Sequence, residues 1–147
     1  MNKEIIFDIP GNPQALKRHR TDRTEKFNRT YDPSVNDKAD FLAKAMNYRP
    51  AKPLDQPLFL KLSFYFQRPK AHYRTGSKAG ILKDNAPMWH TKTPDADNLV
   101  KFVCDALNKV FWRDDSVICA LSVMKKYSVT PHISIKIIYS DDKSTNG

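Results

Sequence analysis

Apolar and polar residues alternate along several segments of this chain. Every second residue is apolar from Ile5 to Ile9, from Leu58 to Phe66 and from Ile133 to Tyr139, which is the period of a strand with one buried face. The stretch from Val117 to Tyr127 follows a turn and is also interpreted as a strand. The pattern therefore predicts four strands, one near the start of the chain, one in the middle and two towards its end.

Two other segments carry apolar residues at helical spacing. In the first, Asp32 and Pro33 are typical of a helix start, with Asp as the N-cap and Pro in the first turn. We expect this helix to run to about Tyr48. Its predicted apolar positions are Val35, Ala39, Leu42 and Met46.

The second helix has the clearer pattern. An apolar stripe recurs at i, i+3, i+4, i+7, i+8 and i+11 from Leu99, which predicts one buried face. Asp97, Lys101 and Asn108 fall on the opposite face. The stripe consists of Leu99, Phe102, Val103, Ala106, Leu107 and Val110.

The resulting order is strand, helix, strand, long loop, helix, strand, strand. This order predicts an α+β fold, a single domain in which two main helices pack on a mixed β-sheet of about four strands. We expect the domain to span 1–140 and a polar tail to occupy 141–147. The segment 68–92 has no clear period, and a loop of that length in a compact domain is usually functional or disordered.

Charge and composition narrow the class of protein. The 147 residues carry a formal net charge of +9, which favours nucleic acid or an anionic membrane as partner but also fits a solubilising excess. No apolar run reaches the ~20 residues of a membrane helix, and the start of the chain is too acidic for a signal peptide. The 2 cysteines form no CxxC motif, so we expect a cytoplasmic protein with reduced thiols and no membrane association.

Acidic residues gather around the second helix. Asp95 and Asp97 lie two apart at its start, and Asp114 and Asp115 are adjacent in the turn before the next strand. Grouped carboxylates repel one another unless a cation joins them, and Asp oxygens suit Mg²⁺ or Mn²⁺. Acids that hold a metal within a basic protein suggest a phosphodiester substrate.

Ordinary structural roles would explain the same acids. Asp95 could cap the helix, Asp97 could pair with Lys101 at i, i+4, and Asp114 and Asp115 could be turn residues. Lys101 could instead stabilise charge on a phosphate. A calcium loop of the EF-hand type is disfavoured because no glycine stands at the sixth position after Asp95.

Two basic segments, 17–29 and 68–92, precede these acids in the sequence. The segment 68–92 interleaves cations with Tyr73 and Trp89, and such a segment can neutralise phosphates while its aromatic rings stack on unpaired bases. A solvated loop would have a similar composition. The candidate DNA-binding residues are Lys17, Arg18, Arg20, Arg68, Lys70 and Arg74.

The acid motif resembles the signature of the RusA family of Holliday junction resolvases. The similarity is densest in Pro94–Lys101, continues through Asp105–Leu107 and ends in Phe111–Asp115. The strand that leads into Pro10 and Gly11 and the basic loop after it are also similar to the family. The combination of PDxDN, a lysine three residues after the Asn and a later DD pair is more specific than DxD alone.

The resemblance implies a dimeric, Mg²⁺-dependent endonuclease of phages or prophages that cuts four-way DNA junctions with paired nicks. By position, Asp95, Asp97 and Asp115 match the metal-binding catalytic acids of the family, and Lys101 matches its catalytic lysine. Asp114 would support the site. The segment 68–92 is longer than in the shorter members of the family.

Two other functions remain open at this point. A metal nuclease of different preference, acting on flaps or replication forks, would need the same acids. A basic DNA-binding protein without catalytic activity would need only the positive surface. Cleavage of a synthetic junction with and without Mg²⁺ separates these alternatives.

Overall fold

A computed structural model describes residues 2–17, 20–22 and 29–141, and of 20–22 and 29–31 it describes the backbone alone. Two α-helices and six strands form in this part of the chain. They are β1 (Asn2–Pro10), β2 (Arg20–Asp22), β3 (Arg29–Tyr31), α1 (Val35–Ala45), β4 (Leu58–Gln67), α2 (Ala96–Leu107), β5 (Ile118–Ser128) and β6 (His132–Ser140).

The main sheet has the strand order β1-β6-β4-β5. The pairs β1–β6 and β4–β6 are antiparallel, whereas β4 and β5 are parallel and are joined by a crossover that contains α2. The predicted α+β fold with a four-stranded mixed sheet and two helices is therefore confirmed. Because β5 pairs with β4 on one side only, it forms an edge of the sheet.

One hydrophobic core lies between the helices and one face of the sheet. The alternation predicted for β4 is observed, since Leu60, Leu62 and Phe64 are buried while Lys61 between them is exposed. From α2 the core receives Leu99, Phe102, Val103, Ala106 and Leu107. The opposite face of the sheet carries no helix within the described residues, which leaves its side chains at the surface or half-buried.

The start and the buried face of α1 differ from the prediction. The N-cap position is Ser34, and Asp32 instead accepts a 2.9 Å hydrogen bond from the Ser34 N–H. The buried residues of α1 are Phe41 and Ala45, whereas Val35 is 55% exposed. The predicted stripe was wrong at Val35 and Ala39, which are exposed, whereas Leu42 is half-buried and packs against the core.

The basic segment after β1 also differs from the expected loop. A two-stranded antiparallel sheet forms between β2 and β3, with Thr21 paired to Thr30. Strands of three residues are too short to show alternation, so the sequence pattern did not reveal them. Arg18 lies outside the described residues, as does the side chain of Arg20.

The long segment 68–92 is docked on the edge of the sheet. It contains short 3-10 turns at Lys70–His72 and Gly76–Lys78 and no α-helix. Its end pairs with the outer side of β5, where the His90 N–H donates to the Lys125 carbonyl and the Tyr127 N–H donates to the Met88 carbonyl, both at 3.0 Å. The segment is therefore an ordered part of the fold.

The ends of the described chain add little to the core. Asp141 forms a 2.9 Å ion pair with Lys3 of β1, and the rest of the predicted tail, 142–147, lies outside the described residues. Within the part of the chain that the structure describes, neither helix is long and apolar enough to cross a membrane.

Candidate active site

The N-terminus of α2 presents two of the predicted acids to solvent. Asp95 occupies the N-cap position with an extended backbone, and its carbonyl accepts the first helical hydrogen bond from the Leu99 N–H at 3.2 Å. Asp97 lies in the first turn, and both side chains are exposed. The helix is fixed by its buried stripe, so the two carboxylates occupy defined positions at its end.

Neither the Asp95 nor the Asp97 side chain makes the bond that its ordinary structural role would require. The Asp95 carboxylate makes no capping hydrogen bond to α2. No ion pair joins Asp97 to Lys101, although the spacing would allow one, and within the described residues neither acid has a hydrogen-bond or ion-pair partner. Two exposed carboxylates at one helix end thus remain available for a ligand.

Lys101 lies one turn further along the exposed side of α2. In the described part of the chain its ammonium group has no ionic partner, whereas Asp105 on the next turn lies 3.7 Å from Lys38 of α1. The Asp105 contact ties the two helices together. Lys101 therefore contributes no visible packing or ion pair to the fold, and its charge is free to act on a ligand.

Asp115 lies in the turn before β5. Its Oδ1 accepts a 2.8 Å hydrogen bond from the indole Nε1–H of Trp112. Trp112 is fully buried, and backbone hydrogen bonds from Leu54 to Phe111 and from Arg113 to Leu54 fix its segment against the chain before β4. One carboxylate oxygen of Asp115 is thus held in place while the residue remains exposed.

The half-buried Cys104 shows where Asp115 lies relative to α2. Burial, together with the nearby charges of Asp115 and Asp105, raises the pKa of the Cys104 thiol to about 12. Asp115 therefore lies near the part of α2 that carries Cys104, seven residues after Asp97. The chain therefore does return to the helix after the turn, which the sequence could not establish.

Asp114 has a structural role in the same turn. Its carboxylate accepts hydrogen bonds from the Ser116 N–H at 3.1 Å and from Lys109 at 3.2 Å. These bonds, with the Ser116 contacts as the largest cause, lower the pKa of Asp114 to about 2. Asp114 caps the 3-10 turn at Asp115–Val117, and in this way it supports the position of Asp115.

Within residues 2–17, 20–22 and 29–141, no three His, Cys, Asp or Glu side chains lie close enough together to hold a metal ion. The donors still suit a hard divalent cation, because Mg²⁺ keeps several waters and is commonly held by one or two carboxylates together with substrate phosphates. Asp95 and Asp97 offer such a pair. Asp115 has a second carboxylate oxygen that does not bond to Trp112, but the described structure does not bring it together with both of these acids.

The predicted DNA-binding residues differ in how far they are engaged within the protein. Lys17 pairs with Asp37 at 3.2 Å, and Arg74 pairs with Asp84 at 2.9 Å. Lys70 is exposed and makes no ion pair within the described residues. Arg68 donates to the Pro87 carbonyl at 2.7 Å and lies over the ring of Tyr127.

The loop that carries Lys17 nevertheless reaches the candidate site. The backbone N–H of Leu16 donates to the carbonyl of Asn98 in the first turn of α2 at 3.4 Å, and the N–H of Lys17 donates to Ser34. The loop is thereby anchored beside the end of α2 that presents Asp95 and Asp97. Within the described residues, the loop up to Lys17 is therefore in contact with the first turn of α2.

Sequence reasoning missed Trp112 as a partner of Asp115. The three-residue spacing between the two was visible in the sequence, but an aromatic residue before a turn is more often a core residue. Trp112 is indeed a core residue, in addition to its bond to Asp115. Only the burial of the ring and the direction of its N–H distinguish the second role.

Comparison with known proteins gives one family match and a bacterial relative. The family model described as Endodeoxyribonuclease RusA matches residues 10–138, a range that includes both helices and all the candidate acids. A Bacillus subtilis (strain 168) protein, "Uncharacterized protein YqaN", is 30% identical over 140 residues, which cover 90% of this chain and 94% of that protein.

Proposed function

The chain belongs to the RusA family of endodeoxyribonucleases, and from that premise we propose that it is a Mg²⁺-dependent endonuclease that resolves four-way DNA junctions by paired, symmetric nicks. Mn²⁺ would substitute for Mg²⁺, since both ions accept the same hard oxygen ligands. The substrate would be branched DNA, and the acting form would be a homodimer.

The observation that carries this proposal is that the carboxylates of Asp95 and Asp97 are exposed and unpaired. Their carboxylates lie at one helix end, exposed and without a partner in the described residues, in a chain with a net charge of +9. Two unpaired acids at one helix end would repel DNA if they served binding alone. Their arrangement supports metal-assisted hydrolysis rather than simple DNA binding.

In the proposed mechanism Asp95, Asp97 and Asp115 would hold the metal ion once they are drawn together around it, since the described structure does not group the three. Trp112 would fix the orientation of the Asp115 carboxylate. The ion, when bound, supplies neutralisation of charge on the phosphate and a more acidic attacking water. Lys101 would add positive charge at the phosphate in the transition state. Asp114 would act indirectly, through the turn that it caps.

A two-fold dimer fits the proposed substrate because a four-way junction has two symmetry-related strands to cut. After the first nick, the second site already lies on the same junction, so the second nick becomes effectively intramolecular. Independent monomers would instead release a branched intermediate that carries a single nick.

Cleavage of a synthetic four-way junction with and without Mg²⁺ tests the function directly. We expect cutting with Mg²⁺, none with a chelator, and weaker cutting of a duplex with the same sequence. A supercoiled cruciform plasmid then distinguishes paired nicks, which give linear product at once, from independent nicks, which first give open circles. Preferred cutting of flaps or forks would assign a different substrate, and binding without any cutting would leave a DNA-binding protein.

A further inference from the structure

The helix-free face of the sheet carries a row of side chains that the proposed active site does not use. Tyr65 of β4 pairs in register with His132 of β6 on one side and with Lys126 of β5 on the other, and Lys126 pairs with Trp89 beyond the edge. Since the buried Phe64 and Phe66 point towards the helices, Tyr65 and its row point away from them. His132, Tyr65, Lys126 and Trp89 are called the aromatic row below.

Contacts within the aromatic row hold its rings in place. The rings of Tyr65 and His132 stack with centroids 4.3 Å apart and an angle of 17° between their planes. Lys126 Nζ lies 4.7 Å from the centroid of the Trp89 ring. With strands about 4.8 Å apart, the row extends about 14 Å across the sheet.

Trp89 is the member most open to solvent, with 51% of its surface exposed, although a tryptophan is among the side chains that gain most from burial. It is not a mobile residue on a loose loop, because the backbone on both sides of it is bonded to β5. A rigid, exposed indole is a ready surface for stacking, since little conformational entropy is lost when a planar partner binds to it.

The charges on this face indicate what the partner is. The row contains the cation of Lys126 and no carboxylate. The carboxylates of the same face, Glu4 and Asp8, lie on the far edge strand β1, where Glu4 pairs with Lys136 and Asp8 accepts a 2.7 Å hydrogen bond from Ser134. Aromatic rings next to a lysine suit a nucleic acid strand, in which unpaired bases alternate with phosphates.

We propose that the aromatic row binds unpaired bases of DNA, with Trp89 as the main stacking surface and Lys126 as a phosphate contact. A second copy of the chain fits this row less well, because a partner with a net charge of +9 would be brought against Lys126. This inference rests on the proposed function, since bases become unstacked where the arms of a branched DNA meet.

Trp89 provides its own spectroscopic probe. The chain has 2 tryptophans, and the other, Trp112, is fully buried. We expect an oligothymidine strand, added in the presence of a chelator so that no cutting occurs, to quench the fluorescence of Trp89. The Trp89→Phe variant should lose the quenching but keep most of the affinity, since phenylalanine can also stack.

Alanine variants measure the contribution of the row to affinity. Trp89→Ala should weaken binding of oligothymidine and of a four-way junction by about 5- to 150-fold, the range for loss of one base–aromatic stack. Lys126→Gln should reduce the slope of log affinity against log salt by about 0.7 for the single strand. The matched control is Ile6→Ala, which removes another exposed apolar residue from the same face, outside the row, and should leave affinity unchanged.

Three results would overturn the inference. The first is equal DNA affinity of Trp89→Ala and Ile6→Ala. The second is an effect of Trp89→Ala on sedimentation but not on DNA binding, which would mark a self-association surface, and the third is that Trp89→Ala weakens binding of duplex DNA as much as binding of the single strand. Cutting of the junction by the unmodified protein with Mg²⁺ is measured separately. Quenching without cutting would contradict the proposed nuclease function and leave the proposed DNA binding by the aromatic row intact. Cutting without quenching would contradict the proposed role of the aromatic row and leave the nuclease function intact.

Discussion

The indole N–H of Trp112 donates a 2.8 Å hydrogen bond to Oδ1 of Asp115 from a side chain that is fully buried. A core residue thereby fixes the orientation of an exposed acid. Carboxylates that hold metals are commonly oriented by a hydrogen bond of this kind, and loss of the partner costs metal affinity or activity. This contact links the hydrophobic core to Asp115 of the proposed active site.

Trp112→Phe is expected to lower the turnover of junction cleavage about 10- to 100-fold, because Asp115 loses the donor that orients it. The variant should also require more Mg²⁺ for half-maximal rate, which a purely structural defect would not produce. Rates are measured at a temperature at which circular dichroism shows the variant folded. An unchanged Mg²⁺ requirement and turnover would leave Trp112 with a packing role alone.

Asp95→Asn, Asp97→Asn and Asp115→Asn are each expected to abolish cutting while junction binding stays equal or becomes tighter. Each change removes a metal ligand and also a negative charge that repels phosphates. Gel-shift affinities and cleavage rates measured on the same junction separate the two effects. Asp40→Asn, at an exposed acid paired with Lys44 on α1, is the control. Full activity in any of the three variants would exclude that residue from the site.

Lys101→Ala is expected to reduce turnover by roughly 10²- to 10³-fold with little change in affinity, as for loss of one group that stabilises charge in the transition state. Thermal stability should not change, since Lys101 forms no ion pair with Asp97 or Asp105. The exposed Lys44→Ala serves as the matched lysine control. A lower melting temperature at normal turnover would contradict the proposed role.

Simultaneous neutralisation of Lys17, Arg18 and Arg20 should reduce the slope of log junction affinity against log salt. Each phosphate contact that is lost on duplex DNA reduces the magnitude of this slope by about 0.9. Lys17 is already paired with Asp37, so we expect a reduction of about 1.8, from the two arginines, rather than the sum for three contacts. Titrations over a range of salt concentrations give this slope, and an unchanged value would show that the segment faces away from DNA.

The buried His90 predicts a pH dependence of stability. Burial lowers the pKa of His90 below 6.5, and the nearby charge of Lys125 lowers it further. As the pH falls below about 6.5, the unfolded chain therefore gains a proton that the folded protein does not, and the free energy of unfolding decreases by at most about 1.4 kcal/mol per pH unit. Above that pH the contribution is constant.

Urea denaturation of the unmodified protein and of His90→Phe at several pH values measures this effect. Phenylalanine can keep the stacking that His90 makes on Phe66, at a centroid distance of 3.8 Å, without a titrating group. We expect the variant to lose the part of the pH slope that begins near 6.5. Identical slopes in both proteins would mean that His90 takes up its proton equally in the folded and unfolded states.

The sequence was most informative where one local period determined the structure. The stripe predicted α2 and its buried face correctly from Leu99 to Leu107, because a helix of three turns repeats its pattern several times. Val110, the last residue of the predicted stripe, lies beyond the end of α2. The N-cap of α1 was misassigned to Asp32 because Ser34 and Asp32 are both good capping residues. The choice between them depends on tertiary contacts such as the Lys17 N–H bond to Ser34.

For the candidate site, the sequence identified the acids but not their ion pairs or their positions relative to one another. Whether Asp97 pairs with Lys101 depends on side-chain positions that spacing leaves open, and so does the proximity of Asp115 to Cys104. The role of Asp114 in capping its turn follows from local rules and was among the possibilities considered. The aromatic row could not be predicted from the sequence, because it joins residues from four separate segments through the register of the sheet.

The docking of segment 68–92 on β5 also bears on how this protein stays dispersed. An exposed edge strand offers unpaired backbone groups on which another sheet can add, and natural proteins protect such edges by covering them. Residues 88–90 cover the C-terminal part of β5, next to Lys125 and Lys126. A shortened chain in which this segment is removed would expose that edge, and we would expect it to aggregate before any change in DNA cutting could be measured.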